Sequence, residues 1–278
     1  MSLFRFCRPD DIPLIVRAIN ECYDVHFPEE TPMTVEQFKF LIRTYGYWTS
    51  NCMIAQENRD PIGIIVGTKR EYGCWIAMIG MKPGFERQGI GSHLVDSLMR
   101  KLSIIGPRKI SVDVPEAHEG VKAFFTTLGF SLWDRYFTYE GSLEPSSKER
   151  NVEQVDPEKI LEYYAHFHPL PQCWERDAES VRKQAPFVNG YAYREGSDLP
   201  GYLLLQEERV VDLAIDPNAD HLRVGKALLA HASHLTGKPI RIPKVPEQDP
   251  LREMLEKLGF PPVASHLFMG KDLPKKER

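Results

Sequence analysis

The stretch from Trp75 to Leu102 constrains the fold of this 278-residue chain more than any other. An apolar run, Trp75 to Met81, stops at Pro83, and a short glycine-bearing loop follows. Apolar residues then recur with helical spacing at Leu94, Val95, Leu98, Met99 and Leu102. A strand, a loop of backbone N–H groups and a helix N-terminus, in that order, make a site for a phosphate-rich anion. The helix dipole and the unpaired N–H groups of the first turn favour negative charge there. Gly89 and Gly91 remove side chains where a ligand must approach the main chain closely.

Three loop types compete for this segment. A nucleoside-triphosphate loop ends in Gly-Lys-Ser/Thr, but Gly91 is followed by Ser92-His93 with no lysine. A dinucleotide fingerprint needs G-x-G-x-x-G, and the third glycine is replaced by Leu94. The loop instead resembles the pyrophosphate loop of the GNAT acetyltransferases, Q/R-x-x-G-x-G/A, with the glycines at Gly89 and Gly91. Glu86 departs from that pattern by occupying the Gln/Arg position; Arg87 and Gln88 beside it could supply donors. A second segment resembles the family's later motif, N-x-x-A-x-x-F-Y-x-x-x-G-F. Lys109–Val114 alternates as a strand does, and Val121–Leu128 reads as a helix closed by Gly129. Phe124, Gly129 and Phe130 match; His118 stands for Asn, Val121 for Ala and Phe125 for Tyr. In the family that tyrosine often protonates the departing thiolate, which phenylalanine cannot do.

The second half carries a degraded copy of the first. Val210–Ile215 is an apolar strand ending before Pro217, Arg223-Val224-Gly225-Lys226-Ala227 follows, and Gly259-Phe260 closes a later helix. Matching Arg87 to Arg223 and Gly89 to Gly225 gives an offset of 136 positions, and Gly129 to Gly259 an offset of 130. On this alignment the second loop carries an insertion, Leu222 takes the Gln/Arg position and Met254-Leu255 replaces Phe124-Phe125. The resemblance implies an α/β (α+β mixed-sheet) chain of two tandem GNAT domains, similar in layout to mycothiol synthase and its relatives. The expected division is 1–143, a linker at 144–150, a second domain at 151–273 and a solvated tail.

Composition bounds the alternatives. The length suits two compact domains. The chain has no run of about 18 apolar residues, so no membrane span is expected; no signal-peptide pattern opens it. Cys7, Cys22, Cys52, Cys74 and Cys173 are odd in number and scattered, without a C-x-x-C pair, so neither a disulfide framework nor a zinc site is expected. These features suit a reducing cytoplasm. A net charge of −4 gives no global pull toward nucleic acid. The expected elements are strands at 3–7, 52–57, 61–69, 74–81, 109–114 and 130–142, with helices at 10–23, 34–44, 89–104 and 118–128. The second half reads as strands at 151–155, 187–195, 200–206, 209–215, 239–243 and 263–270, with helices at 157–166, 175–185, 223–236 and 248–258.

The resemblance implies that strands 74–81 and 109–114 splay apart to admit the pantetheine arm of acetyl-CoA, the co-substrate. Backbone groups near Ile79 and Met81 would hold the arm. The loop from Glu86 through Arg87, Gln88, Gly89, Ile90 and Gly91 to Ser92 would hold the diphosphate, with His118 and Phe125 completing the cofactor site. An amine, from a small molecule or a peptide terminus, would attack the thioester directly. Asp113, His118 and Glu71 are the candidate bases; Tyr136 or Tyr139 could stand in as thiolate acid, though their alternation equally suits a plain strand. Residues 9–37 hold Asp10, Asp11, Glu21, Asp24, Glu29, Glu30 and Glu36 against Arg17, so an acidic cleft for a cationic acceptor is conceivable, with Glu29 and Glu30 as its best candidates. The bland alternative is caps and solvated faces. His168, His231 and His234 read as structural, since His231 and His234 lack cysteine or carboxylate partners at metal-ligand spacing. The competing functions are a non-catalytic acetyl-CoA-binding or interaction protein, and a phosphate-binding domain unrelated to coenzyme A. A monomer or homodimer is expected.

Overall fold

The computed structural model describes residues 3–26, 31–144 and 151–274. The first copy runs β1 (Leu3–Phe6), α1 (Ile12–Cys22), α2 (Val35–Tyr45), β2 (Met53–Glu57), β3 (Asp60–Gly67), β4 (Cys74–Met81), α3 (Ile90–Ile105), β5 (Lys109–Pro115), α4 (Glu119–Thr127) and β6 (Ser131–Gly141). The second runs β7 (Val152–Val155), α5 (Pro157–Ile160), α6 (Tyr164–Phe167), α7 (Ala178–Gln184), β8 (Asn189–Glu195), β9 (Asp198–Gln206), β10 (Arg209–Ile215), α8 (His221–Thr236), β11 (Ile240–Pro246), α9 (Pro250–Lys257) and β12 (Pro262–Asp272).

Where the observed boundaries differ from the sequence reading, local chemistry accounts for them. Helix 157–166 is broken by a 3-10 turn at Leu161–Tyr163. Helix 175–185 begins only at Ala178, because the Asp177 carboxylate accepts the Ser180 N–H (2.8 Å) and caps it. Helix 223–236 begins earlier, at His221, because Asp220 caps it.

The chain forms two compact units, and they are interleaved in sequence. Unit 1 takes the chain up to Val114, His118–Trp133 and the segment from Phe268 onward; unit 2 takes Pro115–Ala117 and Asp134–Leu267. In unit 1 the strand order is β1-β2-β3-β4-β5, continued by the 268–272 end of β12. Lys271 Nζ donates to the Leu128 carbonyl (2.6 Å) and the Leu273 N–H to that of Arg108 (2.7 Å), fixing that end in place. In unit 2 the order is β7-β8-β9-β10-β11, with residues 136–141 of β6 antiparallel to β11. Each unit thus takes a strand segment from the other copy.

Within each unit, antiparallel strands lead to one parallel pair. β1–β2, β2–β3 and β3–β4 are antiparallel and β4–β5 parallel; β7–β8, β8–β9 and β9–β10 are antiparallel and β10–β11 parallel. The mixed sheet expected from the element order is therefore present. The apolar spacing of α1 puts Ile15, Ala18, Ile19 and Cys22 wholly out of solvent, and α3 does the same with Leu94, Val95 and Leu98.

Candidate active site

The parallel pair of unit 1 is joined at only three positions: Cys74↔Ile110, Trp75↔Ser111 and Ile76↔Val112. Beyond them β4 continues to Met81 without a register partner on β5. The parting begins at a bulge, where the β3–β4 register shifts between Val66 and Gly67 and Ala77 is the extra residue. The Lys82 N–H donates to the Ile62 carbonyl on β3 (3.1 Å). Main-chain groups alternate sides along a strand, so those of Gly80 also face β3, and those of Ile79 and Met81 face the opening. Consistent with that direction, His26 Nε2 lies 2.9 Å from the Met81 carbonyl oxygen.

His26 reaches Met81 because of Gly80. A Cβ at Gly80 would fall 2.1 Å from the Cys22 carbonyl oxygen and 2.8 Å from Tyr23 Cα. Only glycine lets the end of α1 cross β4 so closely. The sequence reading missed both residues; a glycine inside an apolar strand was the available signal for close backbone approach.

The loop between β4 and α3 is exposed from Glu86 to Gly89. Gly89 takes φ +81° as the N-cap of α3, and no side chain among the described residues caps that helix. A Cβ at Gly89 would meet no described atom within 4 Å. The first amides of α3, at Ile90, Gly91 and Ser92, thus begin a helix N-terminus without a carboxylate on it. Arg87 also takes a left-handed conformation, φ +59°, and Gln88 Nε2 donates to the Gly84 carbonyl (2.9 Å). Glu86 turns inward on the loop: its carboxylate accepts the Gly84 N–H (2.8 Å). Its own N–H and that of Gly84 hold the carboxyl below its ordinary range.

Asp113 is half-buried on β5, one residue past the last pair with β4. His118 is exposed at the N-cap of α4, and Glu71 is exposed in the turn before β4, at the strand's paired end. Phe125 is fully buried, edge-on to Phe124 (5.0 Å) and Phe130 (5.1 Å). It offers no proton and packs as core, while half-buried Phe124 lies beside Gly91. Tyr136 and Tyr139 do not join this site. Both are buried in unit 2, on the part of β6 paired with β11, and the Tyr139 hydroxyl engages Glu256 (3.2 Å) and Arg252 (3.2 Å).

Glu29 and Glu30 lie outside the described residues. Most of the other acidic side chains in 9–37 have cationic or main-chain partners. Asp11 is held by Arg5 (2.6 and 2.8 Å), Glu21 by Arg17 (2.7 Å) and Lys82 (3.0 Å), and Glu36 by Lys39 (2.8 Å). Asp24 accepts the Met33 N–H (3.2 Å). Three of the seven acids counted over 9–37, Asp11, Glu21 and Glu36, are thus paired with cations.

The second copy aligns differently once packing is known. Gly91 is crowded by Phe124 of α4, and Gly225 by Met254 of α9; Gly63 abuts Ile90, and Gly201 abuts Val224. The bulges fall at Ala77 and Val211. Pro83/Pro217, Ile90/Val224 and Gly91/Gly225 all share an offset of 134 positions. Gly225 is therefore the counterpart of Gly91, Arg223 stands at Gly89, and the loop carries no insertion. Replacing that glycine removes the helix break. α8 starts at His221, two residues before Arg223, and Asp220 caps it by accepting the Arg223 N–H (3.0 Å). A carboxylate and part of a helical turn occupy the segment that in unit 1 is an open loop. β10 and β11 are joined at a single pair, Arg209↔Arg241.

A parallel pair parting at a bulge, followed by a loop and a helix, and present twice, defines the GNAT fold in tandem. Residues 13–130 match the acetyltransferase (GNAT) family. Mycothiol acetyltransferase of Propionibacterium freudenreichii subsp. shermanii is 30% identical over 134 residues, 45% of this chain and 41% of that one. The match thus spans less than half the length of that relative. A tandem GNAT protein from the clavulanic acid biosynthesis pathway superposes with a TM-score of 0.71 at 12% identity, covering 100% of both chains. A GCN5-related N-acetyltransferase from Sphaerobacter thermophilus gives 0.69 at 13% identity, covering 100% of this chain and 98% of that one. The chain has the tandem GNAT fold, and the match to the acetyltransferase (GNAT) family lies in its first copy. Among the described residues no helix is long and apolar enough to cross a membrane.

Proposed function

We propose that this chain is an acetyl-CoA-dependent N-acetyltransferase working through unit 1, with a primary amine as acceptor. The observation that carries this reading is the uncapped start of α3 behind left-handed Gly89, at the open end of the parted β4–β5 pair. The amides of Gly89, Ile90, Gly91 and Ser92 would hold the diphosphate, where the helix N-terminus favours negative charge. The outward-facing main chain of Ile79 and Met81 would bind the pantetheine arm as a strand edge does. Acetyl-CoA, when bound, supplies an activated acyl group. This chain would orient it and lower the barrier with main-chain donors aimed at the carbonyl oxygen, an effect of a few kcal/mol. An ammonium acceptor must lose a proton first; Asp113, one residue past the last β4–β5 pair, would take it, with exposed His118 and Glu71 as alternatives.

Two features support a non-catalytic acetyl-CoA-binding reading instead: the Glu86 carboxylate on the Gly84 amide, and Phe125 without a hydroxyl. One experiment separates them. Isothermal titration with acetyl-CoA should give one site per chain, lost in Gly89→Val, where a β-branched residue at positive φ costs about 1–3 kcal/mol and crowds the ligand. Release of free thiol in the presence of amines then distinguishes an enzyme from a binder. Absence of any binding would remove both readings.

A further inference from the structure

The main-chain groups along a parted parallel pair need partners, and unit 2 supplies its own. At the offset of 134, Leu213 and Ile215 correspond to Ile79 and Met81. The Asp216 N–H donates to the Pro200 carbonyl on β9 (2.8 Å), so by alternation the main chain of Leu213 and Ile215 faces away from β9, toward the gap with β11. That gap opens after the single pair Arg209↔Arg241. Yet Leu213 is 0% exposed and Ile215 2%, whereas Ile79 and Met81 are only half-buried.

A side chain lies in the gap. Arg176, between α6 and α7, is fully buried. Its guanidinium donates to the Leu213 carbonyl on β10 (3.5 Å), the Pro243 carbonyl on β11 (3.4 Å) and the Asp212 carboxylate (3.1 Å). These three groups only accept, and a guanidinium is a planar fork of donors. Both strands depart from unit 1 or from regular geometry at this point. Asp212 stands where unit 1 carries Met78. It also accepts from His168 Nε2 (3.0 Å) and the Tyr202 hydroxyl (2.8 Å). Burial alone would raise its pKa, but His168, Arg176 and Tyr202 hold it down to about 2. On β11 the register with β6 shifts between Ile242 and Val245, and Lys244 takes φ +51°, a bulge at the residue whose carbonyl the guanidinium meets. The Arg176 main chain is clamped as well. The Tyr164 hydroxyl donates to its carbonyl (2.6 Å), and neighbouring Glu175 pairs with Lys244.

A buried ion pair is a weak source of stability by itself, since apolar residues of like volume often serve as well. Buried carbonyls without donors are costly, and a fork reaching both strands satisfies them. We propose that the parted β10–β11 pair is a guanidinium site filled in cis by Arg176, an internal ligand that closes unit 2 to an extended arm from solution. The claim concerns unit 2 alone and stands apart from the coenzyme A reading of unit 1.

The test uses the full chain labelled with ¹⁵N. Arg176→Ala should lower the thermal midpoint by about 10 °C. Methylguanidinium, at ten times its half-saturating concentration, should restore about 4 °C in the variant and leave the parent chain unchanged. Methylammonium, which has the charge without the fork, should restore none. In the variant, methylguanidinium should also move the amide resonances of Ala214 and Lys244, which follow the two carbonyls, back toward their parent positions. In the parent chain, pantetheine should move neither amide. Arg176→Lys covers the case in which Arg176→Ala does not fold: it keeps a charge beside Asp212 but not the fork, and its midpoint should fall too. The proposal is overturned if either variant melts like the parent, or if methylguanidinium restores no more than methylammonium. It is overturned equally if methylguanidinium leaves the Lys244 amide unmoved, or if pantetheine shifts both amides in the parent chain.

Discussion

Pro83–Gly91 and Pro217–Gly225 are the same nine positions in two copies, and they do opposite things with a helix start. In unit 1, Gly89 at φ +81° halts the chain before α3, and no side chain among the described residues caps the first amides. In unit 2, Arg223 replaces that glycine, and the Asp220 carboxylate caps the helix by accepting the Arg223 N–H. One glycine and one carboxylate thus separate an uncapped helix start from a capped one. The parted strands below differ in the same sense. At the position after the bulge unit 1 carries Met78, whereas unit 2 carries the buried Asp212 paired with His168.

The sharpest way to break this contrast is to remove Asp212. Asp212→Ala leaves Arg176 buried and unpaired and should lower stability by about 3–5 kcal/mol, measured by urea denaturation. A loss below about 1 kcal/mol would show the cluster to be dispensable. Acid should act next. Asp11, held to about 2 chiefly by its hydrogen bonds from Arg5, and Asp212, also at about 2, both lie below the unfolded value near 3.9. Their contribution is therefore present above about pH 4 and lost as pH falls toward 2. A stability curve flat across that window would contradict these pairings.

Smaller effects sharpen the comparison. Asp220→Ala removes a cap and should cost about 1 kcal/mol in thermal unfolding without adding an acetyl-CoA site. A second binding event by titration would show that the cap alone closed the second loop. Glu86→Gln removes a negative charge from the first loop and should tighten acetyl-CoA binding by about 0.3–1 kcal/mol at low salt. The gain should shrink as salt is added, and weaker binding would mean that the Glu86–Gly84 contact preorganises the loop.

Much of this was legible beforehand because it is local. Apolar periodicity located β4 and α3 closely, and the glycines marked the loop where the main chain had to be bare. The alignment of the copies was not legible. Matching Gly89 to Gly225 was chemically sensible, and only the packing of Gly91 on Phe124 and Gly225 on Met254 reassigned it. Charge pairing was legible only in part for a similar reason: Arg5, Lys82 and Lys39, which pair with Asp11, Glu21 and Glu36, all lie outside a simple count over 9–37. The Asp212–His168 pair was not legible because its members stand 44 positions apart.

Sequence by itself determined the repeat, the mixed order of strands and helices, and the glycine-bearing loop before α3 in the first copy, since helix starts and strand patterns depend on neighbouring residues. Tertiary structure decided which strand segments complete each unit, which face of β4 meets the opening, and that Tyr136 and Tyr139 belong to unit 2. Those outcomes depend on pairing between segments far apart in the chain, where hydrogen bonds and buried contacts, rather than local propensity, select the partner.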